Sequence, residues 1–128
     1  MTAVKVVDAS AVAAVVFAEP EGRDIAVRLE TATLVAPALL AFEIANVCLK
    51  KLRRDPARRA SLFEAFLLQA GLTIETRQVD HREVLDLAEQ FGLTSYDASY
   101  LWLARHLDAE LVTVDRQLAG AAAALPHT

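Results

Sequence analysis

Two carboxylates in this sequence follow short β-branched runs: Asp8 after Val4-Lys-Val-Val7, and Asp115 after Leu111-Val-Thr-Val114. Such runs read as buried strands, and in open parallel sheets ligands collect outside the carboxyl ends of the strands. One Asp at a strand end is more simply a turn residue or a helix N-cap; two on the same sheet edge are harder to dismiss. Glu43 stands in the apolar stretch Leu39-Leu-Ala-Phe-Glu43-Ile-Ala-Asn46-Val, with Leu39, Leu40 and Phe42 close to it in the chain. A carboxylate partly buried there is costly unless a cation meets it. Asp97 opens a helix in Leu93-Thr-Ser-Tyr-Asp97-Ala98. There Thr94-x-x-Asp97 approximates a capping box, and an acid in the first turn complements the macrodipole.

Each of the four has an ordinary structural explanation by itself, and together they carry a stronger one. Were they to converge on one cleft, each pair about 5 Å apart would repel by ~3 kcal/mol at an effective dielectric near 20. Such a cluster calls for protonation or for bound cations. Oxygen ligands without His or Cys select a hard ion, Mg²⁺ with Mn²⁺ as a substitute, over zinc. Ions of that kind in a carboxylate nest activate water and stabilise the in-line transition state of phosphoryl transfer.

The elements that must position these acids follow from periodicity and punctuation. Strands are expected at Val4–Val7, Thr33–Ala36, Leu72–Thr76 and Leu111–Val114. Helices are expected over Ala11–Ala18, Arg23–Glu30, Leu39–Leu52, Ala57–Ala70, Asp80–Phe91, Ser95–Leu107 and Arg116–Ala124, with Gly71 and Gly92 as terminators. Leu40, Ile44, Val47 and Leu52 lie close to one stripe of their helix. Strands separated by helices argue for an α/β sandwich around a mostly parallel sheet. With 128 residues and no repeat, linker or low-complexity tract, the chain is expected to be one domain over 1–128.

Composition narrows the class. The chain is 55% hydrophobic and 23% charged, which fits a globular protein with an aliphatic core. No apolar run reaches the length of roughly 18–20 residues that crosses a bilayer, and the first residues lack a signal-peptide pattern; a cytoplasmic location with no membrane partner is expected. Cys48, lying among Ile44, Ala45, Val47 and Leu49, reads as a small buried hydrophobe. The formal net charge of −4 is unfavourable for nucleic acid as a whole. The segment 50–59, however, holds Lys50, Lys51, Arg53, Arg54, Arg58 and Arg59 against the single acid Asp55.

Four segments resemble the PIN-domain family, specifically the VapC-type toxins of bacterial toxin–antitoxin pairs. They are Val6-Val-Asp8-Ala-Ser10-Ala11; Ala36-Pro-Ala-Leu-Leu-Ala-Phe-Glu43-Ile-Ala-Asn46; Leu93-Thr-Ser-Tyr-Asp97-Ala-Ser-Tyr-Leu-Trp-Leu-Ala104; and Leu111-Val-Thr113-Val-Asp115-Arg-Gln-Leu118. Their order and spacing match over essentially the whole chain. The resemblance implies a three-layer α/β/α sandwich with Asp8, Glu43, Asp97 and Asp115 as an acidic quartet that holds Mg²⁺ and positions the attacking water. Ser10 and Thr113 fit the hydroxyl positions that support the quartet, and Asn46, one turn after Glu43, is a third candidate for support. It further implies a metal-dependent endoribonuclease acting on tRNA or ribosomal RNA, silenced by a VapB-type antitoxin and usually homodimeric.

Lys50, Lys51, Arg53 and Arg54 are the candidate RNA contacts, although cations at a helix end are favoured anyway. His81, His106 and His127 show no metal-ligand spacing, and Tyr100 and Trp102 read as core or dimer contacts. The segment Ala11–Phe17, with Phe63 and Phe66, is a candidate apolar surface for a dimer or antitoxin. Other classes fail on local sequence: position 10 is Ser where a haloacid-dehalogenase phosphatase has Asp, the first strand has no Gly-rich turn for a dinucleotide, and a receiver domain needs an acidic pair where only Asp8 stands. The alternative to catalysis is a binding protein on the same scaffold that acts through antitoxin and operator assembly with little turnover; the complete quartet favours the nuclease.

Overall fold

The computed structural model describes residues 2–125, so His127 lies outside the described residues. Strands β1 (Val4–Val7), β2 (Thr33–Pro37), β3 (Ile74–Arg77) and β4 (Glu110–Val112) form one sheet in the order β3-β2-β1-β4. Every pairing is parallel. The helices are α1 (Ala9–Val16), α2 (Gly22–Leu29), α3 (Leu40–Arg54), α4 (Arg59–Leu68), α5 (His81–Phe91), α6 (Ser95–His106) and α7 (Arg116–Ala124).

Right-handed crossovers decide the layers. The chain steps from β1 to β2 to β3 in one direction, which lays α1–α4 on one face. It then returns past β2 and β1 to β4, which lays α5 and α6 on the other. Packing agrees: α1 lies against α2, α3 and α4, while α6 lies against α5, α7, β1, β2 and β4. The result is the expected three-layer α/β/α sandwich. Covered on both faces, the sheet is apolar throughout its centre, with Val6, Val7, Val35, Ala36 and Val112 fully buried. The strand order reverses between β1 and β4, and in doubly wound sheets the ligand crevice opens at that reversal. Asp8 follows one of those two strands and Asp115 closely follows the other.

Local chemistry moves several boundaries from their expected places. Helix α1 starts at Ala9 because the Asp8 side chain caps it, accepting from the Ala11 N–H. Helix α4 stops at Leu68 because Gln69, Ala70 and Gly71 all take positive φ, so β3 begins two residues later than periodicity predicts. Strand β4 ends at Val112: the next amides, of Val114 and Asp115, bond to the hydroxyls of Ser10 and Thr113. Gly22 is required by packing, since a Cβ there would sit 2.2 Å from the Ala14 carbonyl oxygen. Gly92 ends α5 in the left-handed conformation as expected, and Cys48 is buried.

The apolar surface is only partly where the sequence places it. Residues Ala11–Val16 of α1, together with Phe17, are almost wholly buried, because this helix is flanked by three others. The exposed large apolar side chains stand mainly on α3 and α4: the expected Phe63, with Phe42, Leu49, Leu67 and Leu68, while Phe66 is half-buried. At the amino edge of the sheet, Lys5, the one charge in β1, meets Glu110 at 3.3 Å, and Arg28 meets the same carboxylate at 3.1 Å. Among the described residues, no helix is long and apolar enough to cross a membrane.

Candidate metal centre

Asp8 is the fixed point of the crevice. It is 5% exposed and accepts from three donors: the Ala11 N–H at 2.9 Å, the Ser10 hydroxyl at 2.8 Å and the Thr113 hydroxyl at 2.6 Å. The two hydroxyls are themselves held. Ser10 Oγ accepts from the Val114 N–H and Thr113 Oγ1 from the Asp115 N–H, both at 3.0 Å. Each hydroxyl has one proton to give; the two hydroxyls lie 3.1 Å apart, and each is nearer to an Asp8 oxygen, which is the stronger acceptor. Ser10 and Thr113 therefore act as oriented donors to the carboxylate, in the supporting positions the sequence assigns them.

The other three acids approach from separate helices. Glu43 lies in the first turn of α3 and accepts a 2.5 Å hydrogen bond from the Tyr100 hydroxyl. Asp97 lies in the first turn of α6, its N–H bonded to Thr94 Oγ1 at 3.1 Å, so the expected cap is present. Asp115 caps α7 by accepting from the Leu118 N–H at 3.0 Å. All four acids thus stand at helix N-termini, where exposed N–H groups and the macrodipole favour negative charge. The structural and the chemical explanations of these residues coincide: Asp8 and Asp115 cap their helices, Glu43 and Asp97 sit in first turns, and those helix starts put all four at the carboxyl edge of the sheet.

Their electrostatics mark them as one cluster. Burial pushes the Asp8 carboxyl above its ordinary range, against its three hydrogen bonds, and the Asp115 charge adds to the rise. Glu43 is raised by burial, with Asp97 and Asp8 adding to it while the Tyr100 hydrogen bond opposes. Asp97 is raised by burial and by Asp115. Among the described residues, none of the four forms an ion pair with Lys, Arg or His. Nor do any three of His, Cys, Asp and Glu close into a ready-made ligand cage. Oxygen donors without His or Cys are the chemistry of Mg²⁺, which keeps several waters and takes one or two carboxylates together with substrate phosphates. The donor set, all carboxylate and without a protein countercharge, fits the ion the family implies.

A stability test follows from these shifts. Where folded carboxyl groups have raised pKa values, the native state binds more protons than the unfolded chain. Stability is then highest below the unfolded values and falls as pH rises through the folded ones. Glu110 runs the other way: burial raises it, but hydrogen bonds and charges from Arg28 and Lys5 carry it below the ordinary value. Its contribution is lost only at lower pH. Metal-free protein in EDTA is therefore expected to melt higher near pH ~5 than near pH ~8, with added Mg²⁺ removing the difference. A melting temperature that falls on that acidification would contradict the cluster.

Tyr100 is the residue that sequence reasoning assigned to packing alone. It is 1% exposed, yet its hydroxyl holds Glu43. Two signals could have found it: a buried Tyr needs a partner for its O–H, and position 100 lies one turn after Asp97 on the same face of α6. Burial and the Glu43 charge push the phenol far above its ordinary range, so it stays a donor at any working pH. Phe42, expected to help bury Glu43, is instead 79% exposed. Asn46 is exposed on α3, and its side chain has no hydrogen-bond partner among the described residues.

The basic run stands apart from the crevice. Lys51 is paired with Glu19 at 3.0 Å and lies over the Phe17 ring, so it is held in local packing. Lys50, Arg53 and Arg54 are exposed, but at 1.5 Å per residue they lie roughly 10–17 Å along α3 from Glu43. Trp102 stacks on His106 and donates to Glu83, a structural arrangement on the far side of α6.

The PIN domain family model matches residues 5–124. Ribonuclease VapC3 of Pyrobaculum aerophilum is 34% identical over 122 residues, covering 89% of this chain and 91% of the relative. The crystal structure of PAE2754, also from Pyrobaculum aerophilum, superposes with a TM-score of 0.74 at 27% identity, over 94% of this chain and 87% of that one.

Proposed function

This chain belongs to the PIN-domain family, and from that premise we propose that it is a divalent-metal-dependent endoribonuclease toxin of the VapC type. Its substrate is RNA of the tRNA or ribosomal class. The observation that carries this reading is four carboxylates at helix starts beside the point where the strand order reverses, each within electrostatic reach of others of the set and none ion-paired among the described residues.

Asp8, Glu43, Asp97 and Asp115 would hold Mg²⁺, with Mn²⁺ as a substitute; when bound, the ion lowers the pKa of water and offsets charge at the scissile phosphate. The protein's part is placement and proton transfer. Asp8 is saturated on its protein side by three donors and anchors the cluster. Glu43 is held through Oε1 by Tyr100, leaving Oε2 without a protein donor among the described residues. A carboxylate oxygen left off the ion, such as Glu43 Oε2, can accept the proton of the attacking water. No covalent enzyme intermediate is required, and the hydroxyls of Ser10 and Thr113, committed to Asp8, are not nucleophiles.

The same reading includes one PIN unit over 1–128, a cytoplasmic location and a VapB-type antitoxin as inhibitor. It also includes a homodimer. The exposed Phe42, Phe63, Leu67 and Leu68 on α3 and α4 support the protein partners, since apolar surface of this kind is normally covered. The test is cleavage of total cellular RNA by purified protein freed of any partner, with Mg²⁺ or EDTA, beside Asp97→Asn. Discrete fragments that need both the metal and Asp97 are expected. Folded protein that leaves every RNA intact would favour the binding role, and metal-independent cleavage that survives in Asp97→Asn would overturn the site.

A further inference from the structure

A second groove opens on the same edge of the sheet, one strand beyond the acids. It encloses about 740 Å³ between the carboxyl ends of β2 and β3 and the flank of α6, and its lining includes Pro37, Thr76, Arg77, Gln78, His81 and Ser99. Strand register places it: Pro37 pairs with Arg77, and continuing the β1–β2 register by two residues beyond Val6–Val35 sets Asp8 beside Pro37. Asp8, Pro37 and Arg77 therefore stand on one row, with two strand spacings, about 10 Å, from the first to the last. The chemistry of the lining is opposite to that of the crevice. Arg77 and His81 bring cation-capable donors, Gln78 and Thr76 bring neutral ones, and no carboxylate lines the groove. The nearby acids are turned elsewhere: Asp80 caps α5 through the Glu83 N–H, and Glu75 meets Arg77 at 3.3 Å in a half-exposed pair that a phosphate can displace.

We propose that this groove seats the RNA backbone next to the scissile bond, with Arg77 as its main phosphate contact and His81 and Gln78 beside it. The inference rests on the nuclease reading and adds to it the direction in which the strand leaves the crevice, along the row from Asp8 toward β3. It also accounts for how a chain of net charge −4 holds a polyanion. The strand is gripped by a small donor-lined groove next to the acids, and the more basic but distant end of α3 is not needed.

The test is binding of a labelled single-stranded RNA of mixed sequence to Asp97→Asn protein with Mg²⁺ across a salt series, paired with steady-state cleavage by protein that keeps Asp97. Adding Arg77→Gln is expected to flatten the slope of log affinity against log salt by about 0.7, the value of one single-strand phosphate contact. In the cleaving protein it is expected to raise KM severalfold with kcat retained. Arg77→Lys keeps the slope, and Arg28→Gln at the opposite, amino edge of the sheet leaves both measurements unchanged. Arg77 is exposed, and an unaltered melting temperature certifies the folded state of each variant. If RNA is bound and cleaved while Arg77→Gln changes neither slope nor KM, the groove assignment is wrong and the nuclease reading stands. If protein with Asp97 intact neither binds nor cleaves RNA, both fall together.

Discussion

Replacing Asp8 by Asn is expected to lower metal-dependent cleavage by at least about 10³-fold, the equivalent of the several kcal/mol a metal supplies at a phosphoryl centre. The metal-free fold is expected to be at least as stable as the parent. The two effects have opposite signs for one reason. Asp8 is buried and its carboxyl is pushed upward by burial, so in the absence of a cation its charge is a burden on the native state. Asn is as good an N-cap as Asp, and its carbonyl oxygen can keep the Ala11 N–H and the Ser10 hydroxyl. Its amide can donate to the hydroxyl oxygen of Thr113, which has a lone pair to spare beyond the one that accepts from the Asp115 N–H. What Asn cannot do is supply the negative charge that holds a divalent ion. Melting curves with and without Mg²⁺ check this directly: ligand binding stabilises the parent in proportion to the logarithm of metal concentration over Kd, and the variant should show no such gain. A variant that loses activity by unfolding, or one that keeps both cleavage and metal stabilisation, would remove Asp8 from the centre of the site.

Much of this architecture is legible in the sequence, including the strand and helix ends at which the acids stand. Asp8 and Asp115 are readable because a β-branched run ending in Asp announces both a strand end and a helix cap, and the parallel topology then brings the ends together. Glu43 is readable because an acid in an apolar helix needs a reason. Tyr100 was not, since a Tyr in Ala98-Ser-Tyr-Leu-Trp-Leu-Ala104 is indistinguishable from packing until the α6-to-α3 contact is known. The assignment of Ala11–Phe17 to a surface failed for a related reason. Its composition says only that it is apolar, and whether it faces solvent depends on α2, α3 and α4, which arrive from elsewhere in the chain. Boundaries moved wherever a side chain took over a backbone partner, as Ser10 and Thr113 do at the end of β4. The long-range Ser10–Asp8–Thr113 arrangement spans more than a hundred residues of sequence, a separation over which no local pattern carries information.

Tyr100→Phe is the sharper test of that arrangement, because it removes one oxygen and leaves the packing volume nearly intact. It is expected to lower metal affinity or turnover by roughly 10–100-fold, the usual consequence of losing a partner that orients a metal-binding carboxylate. A purely structural role predicts a different outcome: a lower melting temperature with the same pH profile and the same metal requirement. The positioning role predicts a displaced pH profile. The Tyr100 hydrogen bond holds the Glu43 carboxyl down against burial and against the charges of Asp97 and Asp8. Without it Glu43 titrates higher, and the acid limb of the cleavage profile moves to higher pH. Since the phenol is itself raised beyond any working pH, the basic limb should not respond to the substitution, which excludes Tyr100 as a proton acceptor. Raised Mg²⁺ should recover part of the lost rate, because a cation stabilises the Glu43 carboxylate as the phenol did. If the acid limb stays in place and added metal restores nothing, Glu43 is not working as a charged ligand, and the site reduces to Asp8, Asp97 and Asp115.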